Sequence, residues 1–142
     1  MPLFSHDSKV DALRRTPLFA GLSRHELAEL ARVTEDLDLS EGKVLAREGE
    51  FGSEFFVIVE GEVVVTRSGE ERRRLSAGDF FGEIALISDN ARRTATVTAT
   101  TPLRAFVLTR QAFRSLISHR PEIEEKVFAA VEERLASANG SA

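Results

Sequence analysis

EFFVIVEGEVVVTR, residues 54–67, decides the fold class. Residues 55–59 and 63–65 are two apolar runs of Val, Ile and Phe, residue types that pack well on a pleated surface. Each run is too short for an ordinary helix, and Gly61 stands between them as a breaker. Working outward, DLDLS at 36–40, KVLAR at 43–47 and ATVTAT at 95–100 alternate or run apolar in the same way. Seven of the nine glycines fall between residues 42 and 82, and Gly42, Gly52, Gly61, Gly69 and Gly78 arrive every eight to ten residues. That spacing predicts short strands joined by tight turns, as in a β-sandwich or small barrel.

The period changes on both flanks. Residues 6–16 carry weak helical periodicity. SRHELAELARV, 23–33, is a stronger helix: Ser23 and Glu26 have capping-box spacing, and Leu27, Leu30 and Ala31 share one face. After LRAFVL, Thr109 is placed to cap a helix running through Ile117. Pro121 suits the first position of another helix, with Glu122, Glu124 and Glu125 in its first turn, where the helix dipole favours acids. Ile123, Val127, Val131 and Leu135 give that last helix one apolar stripe. The expected organisation is a leader at 1–11, one domain at 12–136 and a tail at 137–142, with no linker or repeat.

Composition excludes several function classes. At 142 residues and 42% hydrophobic content, the chain is long enough for one domain with a real core. A net charge of −4 disfavours a general polyanion binder while leaving a local cationic pocket open. The EERRR run at 70–74 reads as a solvated hairpin edge rather than a nucleic-acid patch. With no Cys there is neither a disulfide framework nor a thiolate metal site. No apolar run approaches membrane-span length and MPLFSHDSKV lacks a signal peptide's core, so a cytoplasmic domain without membrane insertion is expected. His6, His25 and His119 all lie outside the predicted strands, which leaves no strand-borne metal centre and no Ser-His-Asp set. The expectation is a non-enzyme with no metal and no cofactor. The ten Phe are expected mostly in the core, and the absence of Tyr and Trp argues against a base-stacking platform.

The polar chemistry concentrates in FFGEIALISDNARRTATV, residues 80–97. EIALIS suits a single helical turn, and Gly82 would let a ligand approach backbone N–H groups at its start. Arg93 lies just before a strand and offers a planar fork of donors that matches two phosphate oxygens. Glu83 accepts only, so it seeks hydroxyl donors such as those of a sugar. A phosphate-binding end beside a hydroxyl-binding carboxylate describes a sugar phosphate or nucleotide. The plain alternative is an ion pair bracing a loop.

This segment resembles the phosphate-binding cassette of the cyclic-nucleotide-binding domain family, shared by catabolite-activator-type regulators, cyclic-nucleotide-dependent kinases and cyclic-nucleotide-gated channels. Phe81, Gly82, Glu83, Ile84, Ala85, Leu86 and Ile87, then Arg93, Thr94, Ala95, Thr96 and Val97, follow that family's pattern. TPLFAGLS, EGEFGSEFFVIVEGEV and LTRQAFRSLI extend the likeness over residues 12 to 136. The resemblance implies an eight-stranded jelly roll with N-terminal helices, a short cassette helix and two C-terminal helices. It further implies that Glu83 accepts from the ribose 2′-hydroxyl. Arg93 would pair with the cyclic phosphate, helped by backbone N–H groups at Ile84 and Ala85 and by Thr94, with Gly82 and Ala95 in the same site. The loop is one residue longer than in kinase-type cassettes; Arg93 rather than Arg92 keeps the spacing to Ala95 and Val97. Arg134, with Leu135 next, is the implied lid over the purine, the bland reading of Arg134 being a solvated side chain.

The regulator-like loop length favours cyclic AMP over cyclic GMP. The expected role is a free-standing or excised sensor that closes its last helix over the ligand and passes the change to a channel, kinase or other enzyme. A vestigial scaffold is the alternative. The 45 residues after Val97 leave room for the last helices and not for a helix-turn-helix module, so direct DNA binding is not expected.

Overall fold

The computed structural model describes residues 6–137. The first five residues of the expected leader and residues 138–142 of the expected tail lie outside the described residues. In chain order the elements are α1 (His6–Arg15), a 3-10 turn (Pro17–Phe19), α2 (Arg24–Arg32), β1 (Glu35–Leu39), β2 (Val44–Ala46), β3 (Glu54–Glu60) and β4 (Glu62–Arg67). They continue with β5 (Glu70–Ser76), β6 (Phe80–Phe81), α3 (Ile84–Ile87), β7 (Thr96–Ala99), β8 (Leu103–Thr109), α4 (Arg110–Ile117) and α5 (Pro121–Ser137). The eight described strands form two antiparallel four-stranded sheets, ordered β1-β8-β3-β6 and β2-β7-β4-β5. The result is the β-sandwich with flanking helices that the sequence predicts.

The uninterrupted apolar character of β3 has a simple cause: both of its faces are covered. Phe55 and Val57 point to a core shared with the helices, where they meet Phe19, Leu30, Phe113, Ile123, Val127 and Val131. Phe56 and Ile58 point into the space between the sheets, against Val63, Val65, Val97 and Ala105. β8 divides in the same way, with Phe106 and Leu108 toward the helices and Ala105 and Val107 toward the second sheet. A strand buried on both faces loses the alternating pattern. β4 lies in the outer sheet and keeps it, burying Val63 and Val65 while Val64 and Thr66 remain partly exposed.

The turns and caps follow local chemistry. Ser68 and Gly69, both with positive φ (53° and 80°), form the two-residue connection of β4 to β5, as a type I′ hairpin requires. The capping box is closed by Glu26 N–H donating to Ser23 Oγ at 3.1 Å and Ser23 N–H donating to Glu26 Oε1 at 2.8 Å. Thr109 Oγ1 accepts from the Ala112 N–H at 3.0 Å and starts α4 where expected. α1 buries Val10 as well as Leu13, so core contacts extend to both sides of residue 12. In α5, Ile123, Val127 and Val131 are fully buried, while Leu135, the fourth member of the stripe, is 46% exposed. The helix thus outruns the core it packs on, and its last apolar side chain projects to one end of the sandwich.

Candidate functional site

β6 is only two residues long, yet it fixes the start of the site. Phe81 pairs with Phe56 in the β3 ladder and stacks on its ring at 4.7 Å, so the chain leaves the sheet at a defined point. Gly82 follows with φ +90°. A Cβ there would sit 2.6 Å from the Glu54 carbonyl oxygen and 2.8 Å from Arg93 Nη1, so only glycine fits. Gly52 is as close: its added Cβ would lie 2.3 Å from Arg93 Nε. The Arg93 guanidinium therefore packs closely against two glycine backbones, and Nη2 donates to the Glu54 carbonyl at 2.9 Å.

The Arg93 backbone is held as firmly. Its N–H donates to the Glu50 carbonyl at 2.7 Å, and its carbonyl accepts from Gly49 N–H at 2.8 Å. Burial disfavours the charged guanidinium and lowers its pKa; nearby Glu54 opposes that shift and Arg110 adds to it. A partly buried cation whose short-range partner is a carbonyl dipole retains attraction for an anion.

Glu83 and α3 continue from Gly82 around a cavity of about 330 Å³. The Glu83 carboxylate takes a hydrogen bond from Arg134 Nε at 3.0 Å, and the Arg134 guanidinium lies 4.5 Å from the centre of the Phe80 ring. Arg134 is thus partnered rather than solvated, through an ion pair and a cation–π contact. The cavity wall brings together Gly82, Glu83, Ile84, Ala85, Arg93, Thr94 and Ala95. Leu135, not Arg134, is the α5 residue on that wall. The Ala85 N–H donates to the Gly82 carbonyl at 3.0 Å, so it would serve a bound anion only as a shared donor. Arg92 also borders the cavity but is committed elsewhere: Nη1 donates to the Gly49 carbonyl at 2.7 Å, and its guanidinium stacks on Phe51 at 4.2 Å.

A sequence profile described as "Cyclic nucleotide-binding domain" matches residues 37–120, more than half of the chain. The chain belongs to the cyclic nucleotide-binding domain family. It is 38% identical over 138 residues to a cGMP-dependent protein kinase, isozyme 1, of Drosophila melanogaster, aligning 92% of its own length and 18% of the kinase. It is 30% identical over 136 residues to a CRP-like cAMP-activated global transcriptional regulator of Mycobacterium tuberculosis, aligning 92% of itself and 60% of the regulator. The chain therefore spans less than two thirds of either relative. Among solved structures, the N-terminal domain of a Streptomyces coelicolor transcriptional regulator superposes with a TM-score of 0.79 at 33% identity, covering 91% of this chain and 95% of that one.

Within this cyclic nucleotide-binding domain, the site also has walls that the sequence reading did not single out. Gly52 was counted among the turn glycines, but its φ is not left-handed; its lack of a side chain serves the close approach of Arg93. Arg73 comes from the EERRR edge run. The register pairs Arg73 with Val65 across β4 and β5, and directly opposed residues share a face. Val65 lines the cavity, and so does Arg73. Past a β-bulge at Arg72 the alternation of β5 places Arg73 on the same face as buried Leu75, a shift that the sequence pattern does not announce. Ala46, Val65, Phe81, Val97 and Leu135 supply most of the remaining apolar wall.

Proposed function

We propose that this domain binds a 3′,5′-cyclic purine nucleotide and acts as a sensor module. The observation that carries the reading is the partly buried Arg93 guanidinium, close against Gly52 and Gly82, in one cavity with the Glu83 carboxylate. In this reading Arg93 pairs with the cyclic phosphate, assisted by the Ile84 N–H, a shared Ala85 N–H and Thr94. Glu83 accepts from the ribose 2′-hydroxyl through the oxygen that Arg134 leaves accessible. Ala95, Val97, Val65 and Leu135 cover the apolar faces of sugar and base. α5 is the output element: Leu135 closes on the purine while Arg134 ties the helix to Glu83. A ligand shifts such a helix only through contacts that differ between its two positions.

The role is regulatory and cytoplasmic rather than catalytic, with no cofactor and no direct nucleic-acid contact. A kinase, channel or other enzyme would receive the signal. The loop length favours cyclic AMP. A second reading, cyclic GMP, rests on Arg73. A guanidinium in the wall can donate to guanine O6 and N7, whereas adenine presents an amino donor in place of O6.

Isothermal titration of protein stripped of nucleotide by unfolding and refolding, with cyclic AMP, cyclic GMP and 5′-AMP, tests both readings. Micromolar or tighter binding of a cyclic nucleotide, with 5′-AMP much weaker, is expected, and the tighter base settles the choice. No heat from any of the three would overturn the sensor reading and leave a jelly-roll scaffold.

A further inference from the structure

Arg110 opens α4, outside the cavity, yet it touches both chain segments that enclose Arg93. Its Nη1 donates to the Gly52 carbonyl at 3.0 Å and to the Ser88 carbonyl at 2.8 Å. Its Nε lies 3.5 Å from Asp89 Oδ1, and Arg114, one helical turn later, pairs with the same carboxylate. The Arg110 backbone N–H donates to the Ser53 carbonyl at 2.8 Å. Gly52 is the residue on which any Cβ would fall 2.3 Å from Arg93 Nε, and Ser88 ends the cassette helix and begins the loop that delivers Arg93. The Arg110 side chain is only 19% exposed.

We propose that Arg110 is a positioning residue of the anion site: it locks the 49–53 and 88–92 segments to the N-terminus of α4 and so fixes the direction of the Arg93 guanidinium. The geometry needs an arginine. Nη1 alone reaches both carbonyls while Nε faces the Asp89 carboxylate, so a lysine ammonium could stand in for Nη1 but would not supply the second donor of the planar head. Thr109 caps α4 immediately before it, so Arg110 stands on a fixed base. Two consequences follow. Movement of the loop toward an anion is delivered to α4 through a short, nearly buried linkage. Arg110 also adds positive charge behind Arg93, where the like-charge repulsion is relieved when an anion arrives.

The claim about what is bound rests on the cyclic-nucleotide reading; the aim of Arg93 does not. The test therefore begins without nucleotide. In ¹⁵N-labelled protein, the Arg93 Nε–H resonance is assigned by its loss in Arg93→Lys. Its position and its exchange with water are then compared in wild type, Arg110→Ala and Arg110→Lys. Arg110→Ala is expected to shift that resonance and speed its exchange about tenfold or more, with slowly exchanging β3 and β8 amides unchanged. Arg110→Lys is expected to give a smaller change in the same direction, and it carries the test if the alanine variant does not fold. An unmoved Arg93 resonance in the variant that folds overturns the proposal.

Titration of the same variants with the Sp and Rp phosphorothioates of the tighter-binding cyclic nucleotide adds a second readout. Affinity should fall about tenfold in Arg110→Ala, and the preference between the two diastereomers should shrink. General destabilisation would leave that preference intact and would count against the proposal. If wild type binds no nucleotide, the sensor reading fails, and the Arg93 resonance still decides the positioning role.

Discussion

Arg93 and Arg134 flank one cavity and are held in opposite ways. Arg93 is fixed by its surroundings: two glycine backbones close against it, a carbonyl acceptor at 2.9 Å, and main-chain hydrogen bonds between its own peptide groups and those of Gly49 and Glu50. Arg134 is fixed by side chains alone, with one contact to Glu83 and one to the Phe80 ring, and it remains 43% exposed. The first arrangement costs no ordering when an anion arrives, so it serves affinity. Water can replace the second at small cost, which suits an element that must change position.

The largest effect should come from removing the fixed cation. Arg93→Ala is expected to weaken cyclic-nucleotide binding by at least about 2 kcal/mol, roughly thirtyfold, and by more than Glu83→Ala. Because burial already disfavours that charge, the melting temperature should change far less than the affinity. Arg92→Ala should move the dissociation constant by no more than about threefold, since Arg92 is engaged with Phe51 and the Gly49 carbonyl. Calorimetric titration of the two alanine variants side by side checks the assignment. A crippled Arg92→Ala beside an intact Arg93→Ala would reverse it.

The two glycines packed against Arg93 can be filled one at a time, with different results. At Gly52 the backbone is not left-handed, so Ala meets only the Arg93 side chain, at 2.3 Å. Gly52→Ala should push the guanidinium aside and reduce affinity about tenfold, with a smaller change in folding stability. At Gly82 the φ of +90° and the Glu54 carbonyl at 2.6 Å both oppose a Cβ. Gly82→Ala should therefore destabilise the protein itself by about 1–3 kcal/mol. Thermal melts alongside titrations separate the two. Equal loss of stability at both positions would show that Gly52 is a fold glycine after all.

Much of this site was legible before the fold was known, because its chemistry is local in sequence. The cassette from Phe81 to Val97 carries its glycine, carboxylate and arginine within one short stretch, and the helix caps at Ser23 and Thr109 depend on residues three apart. What escaped reading is non-local. Gly52 touches Arg93 across 41 positions, and regular glycine spacing disguised it as one more turn. Arg73, exposed to solvent on one side, borders the cavity only because a β-bulge at Arg72 shifts the register that the Ser68–Gly69 turn begins and so pairs Arg73 with Val65. The lid expected on Arg134, with Leu135 next, turns on where α5 ends on the sandwich: here Leu135 borders the cavity and Arg134 pairs with Glu83. Helical periodicity names a face but not what lies opposite its last turn.

At the helix end the expected effects are smaller. Arg134→Ala removes a partly exposed pair worth about 0–1 kcal/mol. Its clearest readout is hydrogen exchange: amides in the last two turns of α5 should exchange faster without nucleotide, while those at 88–93 should not change. Affinity should fall less than in Gly52→Ala. A loss as deep as that of Arg93→Ala would show that Arg134 contacts the ligand directly and that the two ends do not differ as argued.

The base of α5 offers the mildest way to sharpen the contrast. Lys126 Nζ lies 2.8 Å from Glu26 Oε1, joining α5 to the capping box of α2. The hydrogen bond from Lys126 is the main cause holding the Glu26 carboxyl below its ordinary value near 4.5, with the Ser23 N–H second and burial opposing both. A carboxylate with a depressed folded pKa contributes stability that is complete above the unfolded value and is lost as pH falls through the folded one. Wild type should therefore lose stability on acidification from about pH 5 downward, and Glu26→Gln should start lower and lose less, a difference under about 1 kcal/mol. Melts followed by circular dichroism across that range measure it. Arg93 stays cationic throughout, so at neutral pH Glu26→Gln should leave nucleotide affinity intact while α5 amides exchange faster. Weakened affinity without any change in α5 would mean that Glu26 supports the anion end, and that α2 rather than α5 carries the coupling.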